Sequence, residues 1–401
     1  MKALVTNCTR NSGLTALRAL AGAGWSVLGA DDRLFPLGLH SRFSGAPYER
    51  LPAEDDPLFA PALLDLLDRV RPDVLIPTRG IETACRIRAE VARRSRSLLP
   101  SPDAFEGLMD KARLFERCAA LGIPAPRSFE PDEAIRFLKQ DPGAKVVVKP
   151  RRDVGGGQGV HFVADADRLA EIHESVVAAH GAAVITEYVP GPTENLRAAH
   201  LLFDSESRLI AFFVLRKLRI WPPQVGITVA ADSTHETGLV ERLLPLFRDL
   251  GWQGPADAEL KIDDRDGEAK VIEINPRFSG AIHFPIACGV NMPLLFCRAA
   301  LGERLEEASR PRYPPGMRYL DLGRWLAGVA AELREPHSSL SATLGRAWGE
   351  LHGRRVGSVY EFTDPAPVLA KLLMMLPVHR RLLSRTARED FRPGPGSGDR
   401  A

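Results

Sequence analysis

Residues 257–280 read Asp-Ala-Glu-Leu-Lys-Ile, a polar run Asp-Asp-Arg-Asp-Gly, and then Glu-Ala-Lys-Val-Ile-Glu-Ile-Asn-Pro-Arg-Phe-Ser-Gly. Ala258, Leu260 and Ile262 alternate with Asp257, Glu259 and Lys261, the period of a half-buried strand, and the polar run supplies a turn into a second strand over 269–275. A turn centred near Asp266 sets Glu259 and Glu273 roughly opposite each other, and since alternate side chains share a face, Asn275 joins them. Two carboxylates and an amide oxygen then converge. They form either a solvated sheet face or a seat for a hard cation such as Mg²⁺ or Mn²⁺, which takes oxygen ligands and leaves other positions to water and phosphate. Pro276 and Arg277 follow directly, a rigid exit that places a guanidinium beside the cluster.

The chain has 401 residues, 45% hydrophobic and 26% charged, enough for two or three domains with real cores. Its formal charge of +2 advertises neither a nucleic-acid partner nor an acidic membrane surface. Five cysteines without a C-x-x-C pair suit reduced, buried thiols, and no apolar run reaches the ~20 residues of a membrane span, so a cytoplasmic location is expected. Lysine is rare, and most lysines fall between Lys111 and Lys270, which hints at a need for compact point charges there.

A strand at 2–6, a helix opened by Asn11-Ser12-Gly13, a strand around 25–31, a helix near 61–71 and a strand at 73–77 predict a small open parallel α/β sheet. Its first turn lacks the G-x-G-x-x-G spacing of a dinucleotide site. The loop 78–83 follows the last strand at the carboxyl edge, where it either contacts a substrate or caps the next helix. Pro100-Ser101-Pro102-Asp103 breaks the chain and opens a helix over 103–121, which puts a domain boundary near residue 100. A strand carrying Lys149 leads into Gly155, Gly156, Gly157, Gln158 and Gly159, a backbone able to turn several N–H groups toward one anion. No GK[ST] follows, so this is a hairpin flap rather than a Walker loop. Residues 184–189 form another strand, 198–203 and 209–215 pair as antiparallel strands, and Arg216-Lys217-Leu218-Arg219 reads as a basic loop, either a solvated charge run or an anion site.

In this order, a helix lysine, a strand lysine, a glycine flap, an acidic strand-turn, a basic loop and Glu-Ile-Asn-Pro-Arg resemble the ATP-grasp superfamily, in particular its carboxylate–amine ligase branch with relatives of the carbamoyl-phosphate synthase large chain. The resemblance covers roughly residues 1–300. It implies that an N-terminal α/β domain over 1–100 precedes an ATP-grasp domain over 101–300 whose two α+β subdomains (103–190 and 191–300) clasp ATP; a C-terminal extension over 301–391 follows, and the Pro/Gly/Ser-rich tail from 392 is expected to be disordered. Lys111 and Lys149 match the lysines that reach the nucleotide phosphates, and 155–159 the phosphate flap. Glu187, Tyr188 and Val189 resemble the adenine hinge and Glu194 the ribose acid. Glu259, Glu273 and Asn275 match the magnesium ligands, and Arg277 the arginine beside the transferred phosphate.

The implied reaction transfers the γ-phosphoryl of ATP to a carboxylate and lets an amine displace phosphate, with Arg277 and one of Arg216, Lys217 or Arg219 stabilising the oxyanion. A thiol or hydroxyl acceptor, a kinase, or a non-catalytic nucleotide-binding regulatory protein would carry the same motifs. The carboxylate has to approach within about 3–3.5 Å of the γ-phosphate, and few cations can reach it there. The expected carboxylate site is therefore 216–219, with Arg216 the main contact, Gly226 turning the loop back over the site, and Arg79 or Glu82 contributing from the N-terminal domain. A homodimer is possible. The apolar, basic segment from 365 to about 383 is expected to dock on the core.

Overall fold

The computed structural model describes residues 1–374, except 34–35, 45–47, 153–154, 156, 335–338 and 358–362. Strands β1 (Lys2–Thr6), β2 (Ser26–Asp31), β3 (Glu49–Arg50) and β4 (Val74–Ile76) form the first sheet, in the order β3-β2-β1-β4 with every pair parallel. Ala3-Leu4-Val5 and Val74-Leu75-Ile76 are unbroken apolar runs with no exposure, as expected of parallel strands covered on both faces.

Strands β5 (Ser128–Phe129), β6 (Val146–Pro150), β7 (His161–Val163) and β8 (Ala183–Glu187) form a second sheet, β5-β8-β6-β7. Helices Pro131–Gln140 and Ala166–His180 give it its own core, including Ala134, Leu138, Val146, Val148, Leu169, Val176 and Ile185. The third sheet has seven strands. These are β9 (Leu196–Phe203), β10 (Leu209–Trp221), β11 (Ile227–Thr234), β12 (Gly254–Ile262), β13 (Ala269–Asn275), β14 (Arg318–Leu320) and β15 (Arg355–Gly357), in the order β13-β12-β9-β10-β11-β14-β15.

The helix expected over 103–121 is two helices, Pro102–Met109 and Lys111–Ala120. Asp110 separates them in extended conformation, with its carboxylate accepting from the amides of Ala112 and Arg113 and from Arg151 Nε at 2.7 Å. A short acidic side chain gains more as an N-cap than inside a helix, so the break falls there. Lys111 thereby becomes the first residue of the second helix and turns inward, 6% exposed.

The basic stretch is likewise no loop. Residues 216–219 lie within β10, because Arg216, Lys217 and Arg219 each find a carboxylate remote in sequence and none needs solvent. At the C-terminal end, Asp364 is buried and accepts from Arg18 Nε at 2.8 Å, Ser41 Oγ at 2.6 Å and the Arg42 amide, tying the extension to the first sheet's domain. Of the segment expected from 365 to about 383, helix Ala366–Met374 is described, and its Ala370 clusters with Leu14 and Leu37. The remainder and the tail from 392 lie outside the described residues.

Candidate active site

The β12–β13 register sets Glu259 opposite Glu273 and Asp257 opposite Asn275. The pairs nearest the turn, Ile262–Ala269 to Leu260–Val271, would set Glu259 opposite Ile272; a bulge there shifts the register by one residue and brings Glu259 and Glu273 onto one rung. Three further cations meet the acidic rung. Lys217 Nζ lies 2.6 Å from Glu259 Oε2. Lys111 Nζ lies 3.7 Å from Glu273 Oε2, and Lys149 Nζ donates to the carbonyl of Ile272 at 3.1 Å. Lys111, Lys149 and Lys217 are all buried, whereas the two glutamates keep about a quarter of their side chains open.

Burial pushes the Glu259 carboxyl above its ordinary range, with Lys217 drawing it down and Glu273 pushing it up. Burial, reinforced by the like charge of Lys111 and partly offset by Glu273, brings the Lys149 ammonium down to about 7. The donor set suits a hard divalent cation: two carboxylates that repel across one rung, plus the oxygen of Asn275. Among the described residues no group of three or more His, Cys, Asp or Glu could hold a metal. Such a cation would therefore rest on Glu259, Glu273 and Asn275 together with phosphate and water oxygens, the habit of Mg²⁺. Arg277 stands beside the cluster, its guanidinium donating to Asn275 Oδ1 at 3.0 Å.

Residues 228–323 match the family model described as ATP-grasp in the biosynthetic pathway with Ter operon. Over these residues the chain is similar to the ATP-grasp family. It is 25% identical over 320 residues to the carbamoyl phosphate synthase large chain of Thermomicrobium roseum, covering 75% of this chain and 29% of that one. The corresponding protein of Deinococcus radiodurans is 24% identical over 267 residues, 63% of this chain and 25% of its own. The chain thus spans little more than a quarter of the length of these curated relatives. Among solved structures, the biotin carboxylase of Campylobacter jejuni in complex with β,γ-ATP aligns at a TM-score of 0.62 and 16% identity, over 76% of this chain and 72% of that one. N5-carboxyaminoimidazole synthetase of Staphylococcus aureus complexed with ADP aligns at 0.58 and 15%, over 76% and 78%. The biotin carboxylase domain dimer of Hydrogenobacter thermophilus 2-oxoglutarate carboxylase, complexed with MgADP, ADP and bicarbonate, aligns at 0.60 and 19%, over 76% and 70%.

Within this ATP-grasp fold the predicted residues are not all gathered. Alternation divides the basic trio. Leu215, Ala198, Glu259 and Glu273 stand in one cross-strand row, so Lys217, two residues along from Leu215, shares their face. Arg216 belongs to the opposite face, opposed by Arg197 and Asp232, and both its Nε and its Nη2 are taken by the Asp232 carboxylate, the latter at 2.6 Å. A bulge between Lys217 and Arg219 then sets Arg219 opposite Ala230, where it is buried in ion pairs with Glu332 and Glu350 of the C-terminal extension. Arg216 and Arg219, expected at the carboxylate, thus stand away from the acidic rung, and Lys217 is the one of the three that meets it.

Arg79 pairs with Glu54 at 2.6 Å, and Glu82 with Arg86 and with Arg152 at the base of the flap. Neither side chain meets the acidic rung. In the flap, Gly157 has φ +74° and its α-carbon packs so closely on Val225 that a Cβ would overlap the Val225 carbonyl; the flap therefore touches the 222–226 turn. Gly226 packs as tightly on the Trp221–Pro222 peptide, which is what lets the chain reverse there. Gly155, Gln158 and Gly159 complete the described part of the flap, and Gly156 lies outside it.

At the hinge, the Glu187 carboxylate is held by Lys270 at 3.1 Å and Arg265 at 3.0 Å, joining the second sheet to the β12–β13 turn. The Tyr188 ring lies under Lys145 and Lys261, and Val189 is buried beside it. Glu194 sits in the short 3-10 turn Thr193–Asn195, with its carbonyl accepting from Arg197 at 2.6 Å. Asp257 and His200, which the sequence reading did not single out, are buried next to the cluster with Nδ1 and Oδ1 2.9 Å apart. A lone histidine in an apolar strand carries no local signal of such a pairing.

The low Lys149 value has a measurable consequence. A phosphate beside it favours the charged form, so nucleotide binding should draw in a proton above pH 7, and apparent affinity should fall by up to tenfold per pH unit there. Calorimetric titration with ATP at pH 8 in buffers of differing ionisation heat should show net proton uptake, and Lys149→Met should lose it. Uptake unchanged in the variant would assign the proton to another group.

Proposed function

We propose that this chain is an ATP- and Mg²⁺-dependent ligase that activates a small carboxylate as an acylphosphate and joins it to an amine, releasing ADP and phosphate. The observation that carries this reading is the meeting of Lys111, Lys149 and Lys217 with the Glu259–Glu273 rung. That is the equipment of phosphoryl transfer, where catalysis is positioning plus neutralisation of charge spread over the phosphoryl oxygens. No covalent enzyme nucleophile is required. The C–N bond-forming ligases among the similar proteins, and the MgADP in the 2-oxoglutarate carboxylase structure, support the same reading.

In it, Lys111 and Lys149 bind the ATP phosphates and Lys217 draws the burial-raised Glu259 carboxyl back toward its ordinary range. Glu259, Glu273 and Asn275 hold the metal, which when bound neutralises charge on the transferring phosphoryl group. Arg277, beside Asn275, stabilises the oxyanion formed when the amine attacks the acylphosphate carbonyl. The hinge 187–189 receives the adenine and Glu194 the ribose. The test is phosphate release from MgATP with pooled carboxylic acids and amino acids, followed by mass analysis of the product. A product equal to acid plus amine minus water is expected. A phosphorylated acid that accumulates, or a thioester or ester, would replace the amine reading with another acceptor.

A further inference from the structure

Three cross-strand neighbours on β9, β12 and β13, His200, Asp257 and Asn275, stand in one row on the face that carries Glu259 and Glu273. His200 is 2% exposed and Asp257 5%, so an imidazole and a carboxylate have been taken out of water inside an otherwise apolar strand segment, Ala198-Ala199-His200-Leu201-Leu202. Burying such groups is costly unless they are paired, and they are paired with each other at 2.9 Å. The imidazole also stacks on Phe213, with 6.2 Å between centroids and 11° between planes, which fixes its tilt.

Asp257 reaches further. It stands directly across the rung from Asn275, and its carboxyl, which burial raises, is drawn below its ordinary range by His200, Arg277 and the Ser279 side chain. Arg277 in turn donates to Asn275 Oδ1 at 3.0 Å, and its amide to the Asn275 carbonyl at 2.8 Å. The segment 275–279 leaves the sheet immediately after the metal-side residues, so its path is set by what it touches rather than by strand pairing. We propose that His200 and Asp257 are a positioning pair: His200 orients the Asp257 carboxylate, and Asp257, through Ser279 and Arg277, holds the 275–279 segment so that Arg277 and the Asn275 oxygen keep their place beside the acidic rung. This rests on the ligase reading for its effect on turnover, though not for its effect on the segment itself. Partners of this kind, one step behind the groups that touch substrate or metal, typically account for about 10–100-fold in activity.

His200→Leu removes the imidazole donor, while His200→Asn places an amide N–H near the position of Nδ1. Hydrogen exchange in the full-length protein without nucleotide reads the segment independently of activity. Peptides covering 275–281 should exchange at least tenfold faster in His200→Leu and in Asp257→Asn, and near the parental rate in His200→Asn. Turnover should fall 10–100-fold in the first two at little change in KM for ATP, with His200→Asn recovering most of it. Unchanged exchange over 275–281 in His200→Leu, or a His200→Asn protein as impaired as His200→Leu, overturns the proposal. If the parental protein turns over no substrate at all, the ligase reading fails while the exchange result still decides the pair.

Discussion

Glu273→Ala should reduce MgATP turnover on the order of 10³-fold or more, the largest loss expected of any single change in this chain. The carboxylate stands opposite Glu259 and 3.7 Å from Lys111. Its removal takes away the proposed metal ligand and the counter-charge of two buried lysines together. Lys149, already brought down to about 7 by burial and Lys111, loses the one group that raises it. It should then be neutral at working pH, and ATP affinity should fall with turnover. Steady-state phosphate release and titration with a fluorescent ATP analogue measure the two effects. Turnover surviving this change undiminished would defeat the site.

Lys217→Met should act through Glu259. The lysine is 2% exposed and its ammonium lies 2.6 Å from the carboxylate, which burial and Glu273 push upward. Without that cation the Glu259 carboxyl should be pushed further up, holding its proton to higher pH and serving less well as an anionic ligand, so turnover should fall on the order of 10²–10³-fold. Raising the pH should restore part of the loss by ionising Glu259, while no pH restores Glu273→Ala. Stability should move the other way. A carboxyl whose folded-state pKa is raised binds its proton more tightly in the native than in the unfolded state, so the variant's thermal midpoint should fall as pH rises through that raised value. A pH–rate profile parallel to the parental one, with the midpoint insensitive to pH, would show that Lys217 does not govern Glu259.

The buried interdomain contacts suggest how the parts of the fold are held. Arg219, Glu332, Glu350 and the indole of Trp325 form one network between β10 and the C-terminal helices. Asp364 does the same between the extension and the first domain. The described residues from 318 onward thus close the large sheet and brace the elements around the first sheet, and among the described residues no helix is long and apolar enough to cross a membrane.

What the sequence by itself determined was local. The β12–β13 hairpin and its polar turn follow from short-range rules, as do the glycine flap and the βαβ opening, whereas the bulge between Glu259 and Leu260 that brings Glu273 opposite Glu259 has no local signal in the sequence. The lysines Lys111 and Lys149 were legible as cations, though not the Asp110 break that turns Lys111 inward, since a cap competes with helix continuation only once Arg151 is brought up to the same carboxylate. Tertiary structure alone decided which of Arg216, Lys217 and Arg219 meets the acidic rung. Simple alternation would put Lys217 and Arg219 on one face; a single bulge at Leu218 separates them, and the acids that receive them lie as far along the chain as Glu259, Glu332 and Glu350. The pairing of His200 with Asp257 belongs to the same class. It exists only because β9 lies beside β12, and nothing within either strand states which strand will be its neighbour.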